Sequence, residues 1–183
     1  MRRWRGSIDV PLTYEGYAEA TNIYLPLSVV YHDSLSRCRD TAECLAPDMM
    51  IESRGPRPWR MGTQFEGKEI TEESIRHAQC LVSNPWDCPY DGEPFGRWYE
   101  MWLAWISRVQ HGGKAIGVVT HNRNIQALYA THEGGLVPRL YNVDGPGFLT
   151  VHVYDRGHIA PWGGRWVPPG IYLIRHGETS FGT

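Results

Sequence analysis

Residues 171–179, IYLIRHGET, decide how this chain is read: a short apolar strand, Ile171 to Ile174, runs directly into Arg175 and His176. The same arrangement occurs earlier. Residues 115–120, AIGVVT, are a continuous apolar run of the kind that forms a strand buried on both faces of a parallel sheet, and His121 follows at once. Two separate segments thus place an imidazole at a strand end. With helices between the strands, the pattern is that of an α/β fold, in which ligands sit beyond the carboxyl ends of the strands.

Outward from these two strands, residues 13–25 read as a helix opening at the N-cap candidate Thr13 and stopping before Pro26. A short strand, Ser28 to Tyr31, follows. Between Ser34 and Ala46, Leu35, Cys38, Ala42 and Leu45 recur at spacings of three and four, the period of a helix with one apolar face. Arg37 falls in its first turn. Residues 51–68 are broken by Gly55, Pro56, Pro58, Gly62 and Gly67 and read as a long loop, often a functional one. Helices are expected over 69–82, over 93–110 with Glu93 at the N-terminus, and from Asn122 to about His132. Residues 147–154 alternate as a strand before a Gly/Pro-rich connection from Arg156 to Gly170.

At 183 residues with 42% hydrophobic composition, the chain fits a single domain spanning 1–183. A net charge of −2 leaves no overall basic character for a polyanion, so no nucleic-acid or membrane partner is expected and any phosphate affinity must be local. Cys38, Cys44, Cys80 and Cys88 show no CxxC pairing and suit free thiols in a cytoplasmic protein. No apolar run approaches the roughly 20 residues that span a bilayer, and no signal-peptide core follows the N-terminal MRRWR. His152 and His158, with Asp155 between them, lack a third metal ligand at a recognisable spacing, so no metal or cofactor is expected. Trp59, Trp86, Trp162 and Trp166 lie near prolines or glycines, where tryptophan usually packs a loop onto a core.

Four further blocks stand beside RHGET: RCRDTAE around Arg37, RPWRMGTQFEGK over 57–68, GEPF around Glu93, and VVTHNRNIQAL around His121. Together they resemble the histidine phosphatase, or phosphoglycerate mutase-like, superfamily over nearly the whole chain. The order departs from that family, whose RHG motif normally opens the protein. Reading from Arg175 through RHGETSFGT into MRRWRGSIDVPLTYEG restores the usual opening with no residue missing or added. The resemblance therefore implies a circular permutant of a three-layer α/β/α sandwich with a mainly parallel central sheet, in which GGRWVPPG, residues 163–170, joins the family's original termini.

The resemblance also assigns roles. His176 is the nucleophile, giving a phosphohistidine. Arg175, Arg37, His121 and Thr179 bind phosphate, and His121 counts among the catalytic groups. Glu93 is the acid that protonates the leaving group, with Glu66 and Glu178 as other candidates and Pro94 in place of the family's usual serine. The chemistry suits these residue types: phosphoryl transfer spreads charge over equatorial oxygens, and arginines offer paired donors that match phosphate geometry. Gly182 stands where the family commonly has a phosphate-holding asparagine. Arg2, Arg3 and Arg5 either reach an anionic substrate or form a solvated terminus.

The expected activity is hydrolysis of a small phosphorylated metabolite or nucleotide. A mutase, a phosphohistidine protein phosphatase and a catalytically weak phosphate-binding protein are the alternatives, the last countered by the retention of both histidines, both arginines and an acid.

Overall fold

In a computed structural model, which describes residues 3–132, 145–164 and 166–180, the two strands that lead into His121 and His176 are neighbours. Among the described residues, chain order gives α1 (Tyr14–Thr21), β1 (Val29–His32), α2 (Ser36–Cys44), β2 (Met49–Glu52), α3 (Glu72–Ser83), α4 (Phe95–Ile106), β3 (Ala115–Thr120), α5 (Asn122–His132), β4 (Val151–Asp155), β5 (His158–Pro161) and β6 (Gly170–Arg175). The fold is mixed α/β, with a six-stranded sheet in the order β2-β1-β3-β6-β4-β5. Strands β2, β1, β3 and β6 pair in parallel, while β6–β4 and β4–β5 are antiparallel.

The last strand in the chain therefore lies inside the sheet, and its composition explains why. Ile171, Tyr172, Leu173 and Ile174 are all buried. Ile171 and Leu173 join an apolar cluster with Trp98 and Trp102 of α4 and Ile125 and Leu128 of α5, whereas Tyr172 and Ile174 join another with Cys38 and Ala42 of α2. Strand side chains alternate between faces, so one strand serves two cores.

Helix ends follow local chemistry. The Thr13 hydroxyl accepts from the Gly16 N–H at 2.9 Å, and Thr71 and Ser74 form a capping box at the start of α3. Helix α1 stops at Thr21, earlier than expected, because the Asn22 side chain donates to the Ala18 carbonyl at 3.0 Å and its backbone turns back on Glu19 and Ala20. Helix α4 begins at Phe95 rather than Glu93, since a residue before proline is pushed out of helical backbone. Two edge strands escape the sequence pattern. β2 is exposed at both ends and lies partly in the expected loop; β5 buries only Ile159. A two-residue turn, Arg156 and Gly157, both at positive φ, joins β5 to β4. Leu149, also at positive φ, delays β4 to Val151. Of the tryptophans expected to pack loops, Trp59 is buried, but Trp86 and Trp166 are 63% and 72% exposed, standing on loop surfaces rather than against the core.

The segment after β6 is held by the start of α1. Glu178 O accepts from Thr13 N at 2.9 Å, and Leu12 and Thr179 form an isolated antiparallel bridge. The contact needs two glycines: a Cβ on Gly16 would lie 2.4 Å from Glu178 O, and one on Gly177 2.9 Å from Gly16 O. Gly16→Ala is accordingly expected to cost about 1–3 kcal/mol through overpacking against backbone that cannot yield. A thermal melt checks this, and an unchanged Tm would show that the two segments are not locked.

No helix among the described residues is long and apolar enough to cross a membrane.

Candidate active site

Parallel pairing sends the ends of β1, β3 and β6 to one edge of the sheet. Thr120 lies opposite Arg175 in the β3–β6 register, and the His176 N–H donates to Thr120 O at 3.1 Å. Their successors, His121 and His176, consequently meet with ring centroids 5.2 Å apart. The end of β1 adds Asp33 beside them.

His176 is 3% exposed, and its Nδ1 lies 2.7 Å from the Gly177 carbonyl. A carbonyl only accepts, so Nδ1 carries the proton and Nε2 keeps its lone pair. Burial, and then the nearby His121, Arg37 and Arg175, hold this imidazole well below its ordinary pKa of 6.5, despite the opposing Gly177 hydrogen bond. The ring is therefore neutral, with a defined tautomer.

Arg37 is 1% exposed, and its Nη1 and Nη2 donate to the carbonyls of Ile8 at 2.6 Å and Gly6 at 2.8 Å. Those bonds anchor residues 3–8 across the site. Trp4 helps: its indole donates to Ser74 Oγ at 3.0 Å and packs edge-on against Phe65. The Arg37 carbonyl accepts from Thr41 Oγ1, which in turn accepts from the Gly177 N–H at 3.0 Å, tying α2 to the residue after His176. Arg175 donates through Nη1 to Pro146 O, and its guanidinium lies 4.1 Å above the centre of the Phe148 ring, to which Arg5 also draws near.

His121 Nε2 lies 2.7 Å from Asp33 Oδ2 and 3.4 Å from Cys38 Sγ. Burial holds the His121 imidazole below its ordinary range, outweighing the pull of Asp33. Burial would raise the Asp33 carboxyl, but His121, the Leu35 N–H and Arg37 together hold it below its usual value. A neutral imidazole donating Nε2–H to an ionised carboxylate satisfies both directions.

The sequence-predicted residues divide between two spaces. His176, His121, Arg37 and Arg175 share a cavity of about 760 Å³, whose wall also includes Arg5 and the exposed Arg3; Arg2 lies outside the described residues. Glu93 instead lines a second cavity of about 830 Å³ with Asp33, Arg54, Arg57 and Arg97; Pro58 belongs to both walls. Its carboxylate is paired with both terminal nitrogens of Arg57, one at 2.7 Å, and accepts the Arg60 N–H at 3.1 Å. Thr179 is buried and lines neither cavity, and its hydroxyl has no hydrogen-bond partner among the described residues. Glu66, a candidate acid, is occupied in structure, accepting from Ser7 Oγ at 2.6 Å and Met61 N–H at 2.8 Å. Gly182 lies outside the described residues.

Sequence reasoning missed Asp33 and the polar neighbourhood of Cys38. Asp33 carried the signal that had flagged His121, a polar residue just past a strand end. Cys38 carried none, because it sits on the apolar stripe of α2.

The profile of the histidine phosphatase superfamily (branch 1) matches residues 1–159, a stretch that includes Arg37, Glu93 and His121 and ends before Arg175. No curated protein matches the chain significantly. Among solved structures, the fold is similar to a mycobacterial glucosyl-3-phosphoglycerate phosphatase (16% identity, 90% of this chain and 92% of that one, TM-score 0.66). It is also similar to YhfR of Bacillus stearothermophilus (22% identity, 87% of each chain, TM-score 0.64). A phosphoglycerate mutase from Thermus thermophilus aligns at 24% identity over 69% of this chain and 72% of that one, with a TM-score of 0.55. With a profile match over most of its length and two histidines side by side just past the ends of neighbouring strands, the chain belongs to the histidine phosphatase superfamily, branch 1.

Proposed function

We propose that the chain is a metal-independent phosphomonoester hydrolase that works through a phosphohistidine on Nε2 of His176. The observation that carries this reading is the Nδ1–H bond to Gly177 O, which fixes the tautomer and leaves Nε2 as the nucleophilic atom in a cavity walled by Arg37, Arg175 and His121. In the first half-reaction, the Nε2 lone pair forms a bond to phosphorus as the ester P–O bond breaks. The two guanidinium groups take up charge on the equatorial oxygens, and the departing alkoxide takes a proton from Glu93. In the second, water attacks phosphorus, gives its proton to Glu93 and frees the imidazole. The assignment of Glu93 requires its pair with Arg57 to open and its carboxylate to take up a proton from solvent before the first half-reaction, with Pro58 the wall that the two cavities share.

The substrate class is a small phosphorylated metabolite or nucleotide. Support is chemical: cationic groups line a cavity large enough for such a molecule. We read the whole chain as one domain, a permuted three-layer sandwich. That reading is supported by the position of β6 inside the sheet, by the two apolar clusters fed by its alternate residues, and by a profile match that ends before the RHG motif.

The native chain is expected to release phosphate from p-nitrophenyl phosphate with EDTA present, and to keep its rate when the chelator is raised tenfold. Loss of activity on chelation would remove the metal-independent mechanism. As His176 is shifted downward, its neutral form persists below pH 6.5 and is lost only as pH falls through the depressed value, so the acid limb of kcat/KM is expected below 6.5.

A further inference from the structure

Asp33, Cys38 and His121 come from the end of β1, the first turn of α2 and the residue after β3, and all three are buried. Their donor atoms, one oxygen, one sulfur and one nitrogen, lie within 4.8 Å of one another. We propose that these three residues form a site for one thiophilic divalent cation, Zn²⁺ by its donor set, and that filling the site inhibits the enzyme by locking His121 Nε2 onto the ion, so that it cannot leave Asp33 to donate to phosphate.

The geometry is close to what the ion needs. Tetrahedral zinc with bonds of about 2.0 Å to nitrogen or oxygen and 2.3 Å to sulfur separates its ligands by about 3.3–3.6 Å. The His121 Nε2 to Cys38 Sγ distance of 3.4 Å already falls in that range, and the 2.7 Å Nε2 to Asp33 Oδ2 hydrogen bond has to open by only about 0.6 Å, the hydrogen giving way to the metal. The charges also close. An Asp33 carboxylate and a Cys38 thiolate neutralise a divalent ion while the imidazole stays neutral, its proton moved to Nδ1 and the thiol proton released to solvent. Burial and the Asp33 carboxylate push the Cys38 thiol well above its ordinary range, so its proton leaves only as the ion enters.

The site is reachable although buried. His121 lines the cavity that holds His176, and Asp33 lines the neighbouring one, so the cluster lies in the partition between the two. Three protein ligands leave a fourth position for water or an anion. None of this was visible as a motif, because Asp33 and His121 are brought together by strand pairing rather than by spacing.

The binding half of the proposal stands by itself, and the inhibition half rests on the phosphatase reading. Cobalt reports both thiolate ligation and tetrahedral geometry. Titrating the intact chain with Co²⁺ is expected to give visible bands and a near-ultraviolet thiolate band saturating at one ion per chain, and added Zn²⁺ should abolish both. Cys44, Cys80 and Cys88 are all at least partly exposed, so a variant with these three replaced by serine isolates the buried thiol and is expected to keep the full spectrum. Cys38→Ala and the nearly isosteric Cys38→Ser are expected to lose the thiolate band and to bind Co²⁺ at least tenfold more weakly.

A native spectrum without a thiolate band, or one lost in the triple variant, overturns the site, and so does unchanged binding by a folded Cys38 variant. In the activity arm, Zn²⁺ is expected to inhibit phosphate release by the native chain and to leave Cys38→Ala active and insensitive. Stoichiometric binding without inhibition overturns the regulatory half alone. No phosphate release even in EDTA overturns the phosphatase reading and leaves the cobalt result standing.

Discussion

Replacing His176 with alanine is expected to lower phosphate release by at least about 10⁴-fold, because in the proposed mechanism the substitution removes the atom that becomes bonded to phosphorus rather than one that steadies it. The same substitution should abolish covalent labelling by a ³²P-phosphoryl substrate, whereas quenched native enzyme should carry label that is labile to acid and stable to base, as phosphohistidine is. The ring borders the cavity rather than filling the core. Its partners are the Gly177 carbonyl and the rings of His121 and Phe148, so a cooperative thermal transition should survive and separate chemistry from folding. Label persisting in the variant would move the nucleophile elsewhere; the next imidazole, His121, is already committed to Asp33.

The second large effect belongs to Arg37. Its loss is expected to reduce kcat/KM by about 10²–10³-fold, the usual cost of deleting one donor to transition-state charge. Stability should fall too, by about 2–4 kcal/mol, since the guanidinium donates to two backbone carbonyls, Ile8 and Gly6, that would be left unpaired. The two losses have a common structural route, as those carbonyls hold residues 3–8 over the cavity. Arg37→Lys distinguishes them: one ammonium cannot reach both carbonyls and phosphate with a planar fork, so it should recover charge and little else. If Arg37→Ala kept a native kcat/KM, the arginine would be a strut for the N-terminal segment and no part of the phosphate cradle.

Much of this site was legible in the sequence because strand ends are legible. AIGVVT and IYLI are buried on both faces, so their apolar runs are unbroken, and the residue that ends each run is one that cannot be buried without a function or a partner. The helical period around Arg37 placed it on α2 for the same kind of reason. What the sequence hid has physical causes. Edge strands β2 and β5 bury too little to leave a pattern. Glu93 was read into a helix that Pro94 excludes it from, and its pairing with Arg57 is a contact across 36 positions that no local rule anticipates. Cys38 looked like any small apolar residue. Its proximity to His121 depends on how α2 lies against β3, a matter of tertiary packing.

The place of β6 also bears on how the protein is born. Synthesis runs from β1 to β6, and until residues 170–175 leave the ribosome, β3 and β4 each lack the strand that stands between them. The nascent chain then exposes two unpaired, apolar strand edges, the kind of surface that recruits chaperones or aggregates. In the folded sheet β6 covers both edges and sets His176 beside His121. Completion of the sheet and pairing of the two histidines thus depend on the same strand, and a nascent chain without it has neither.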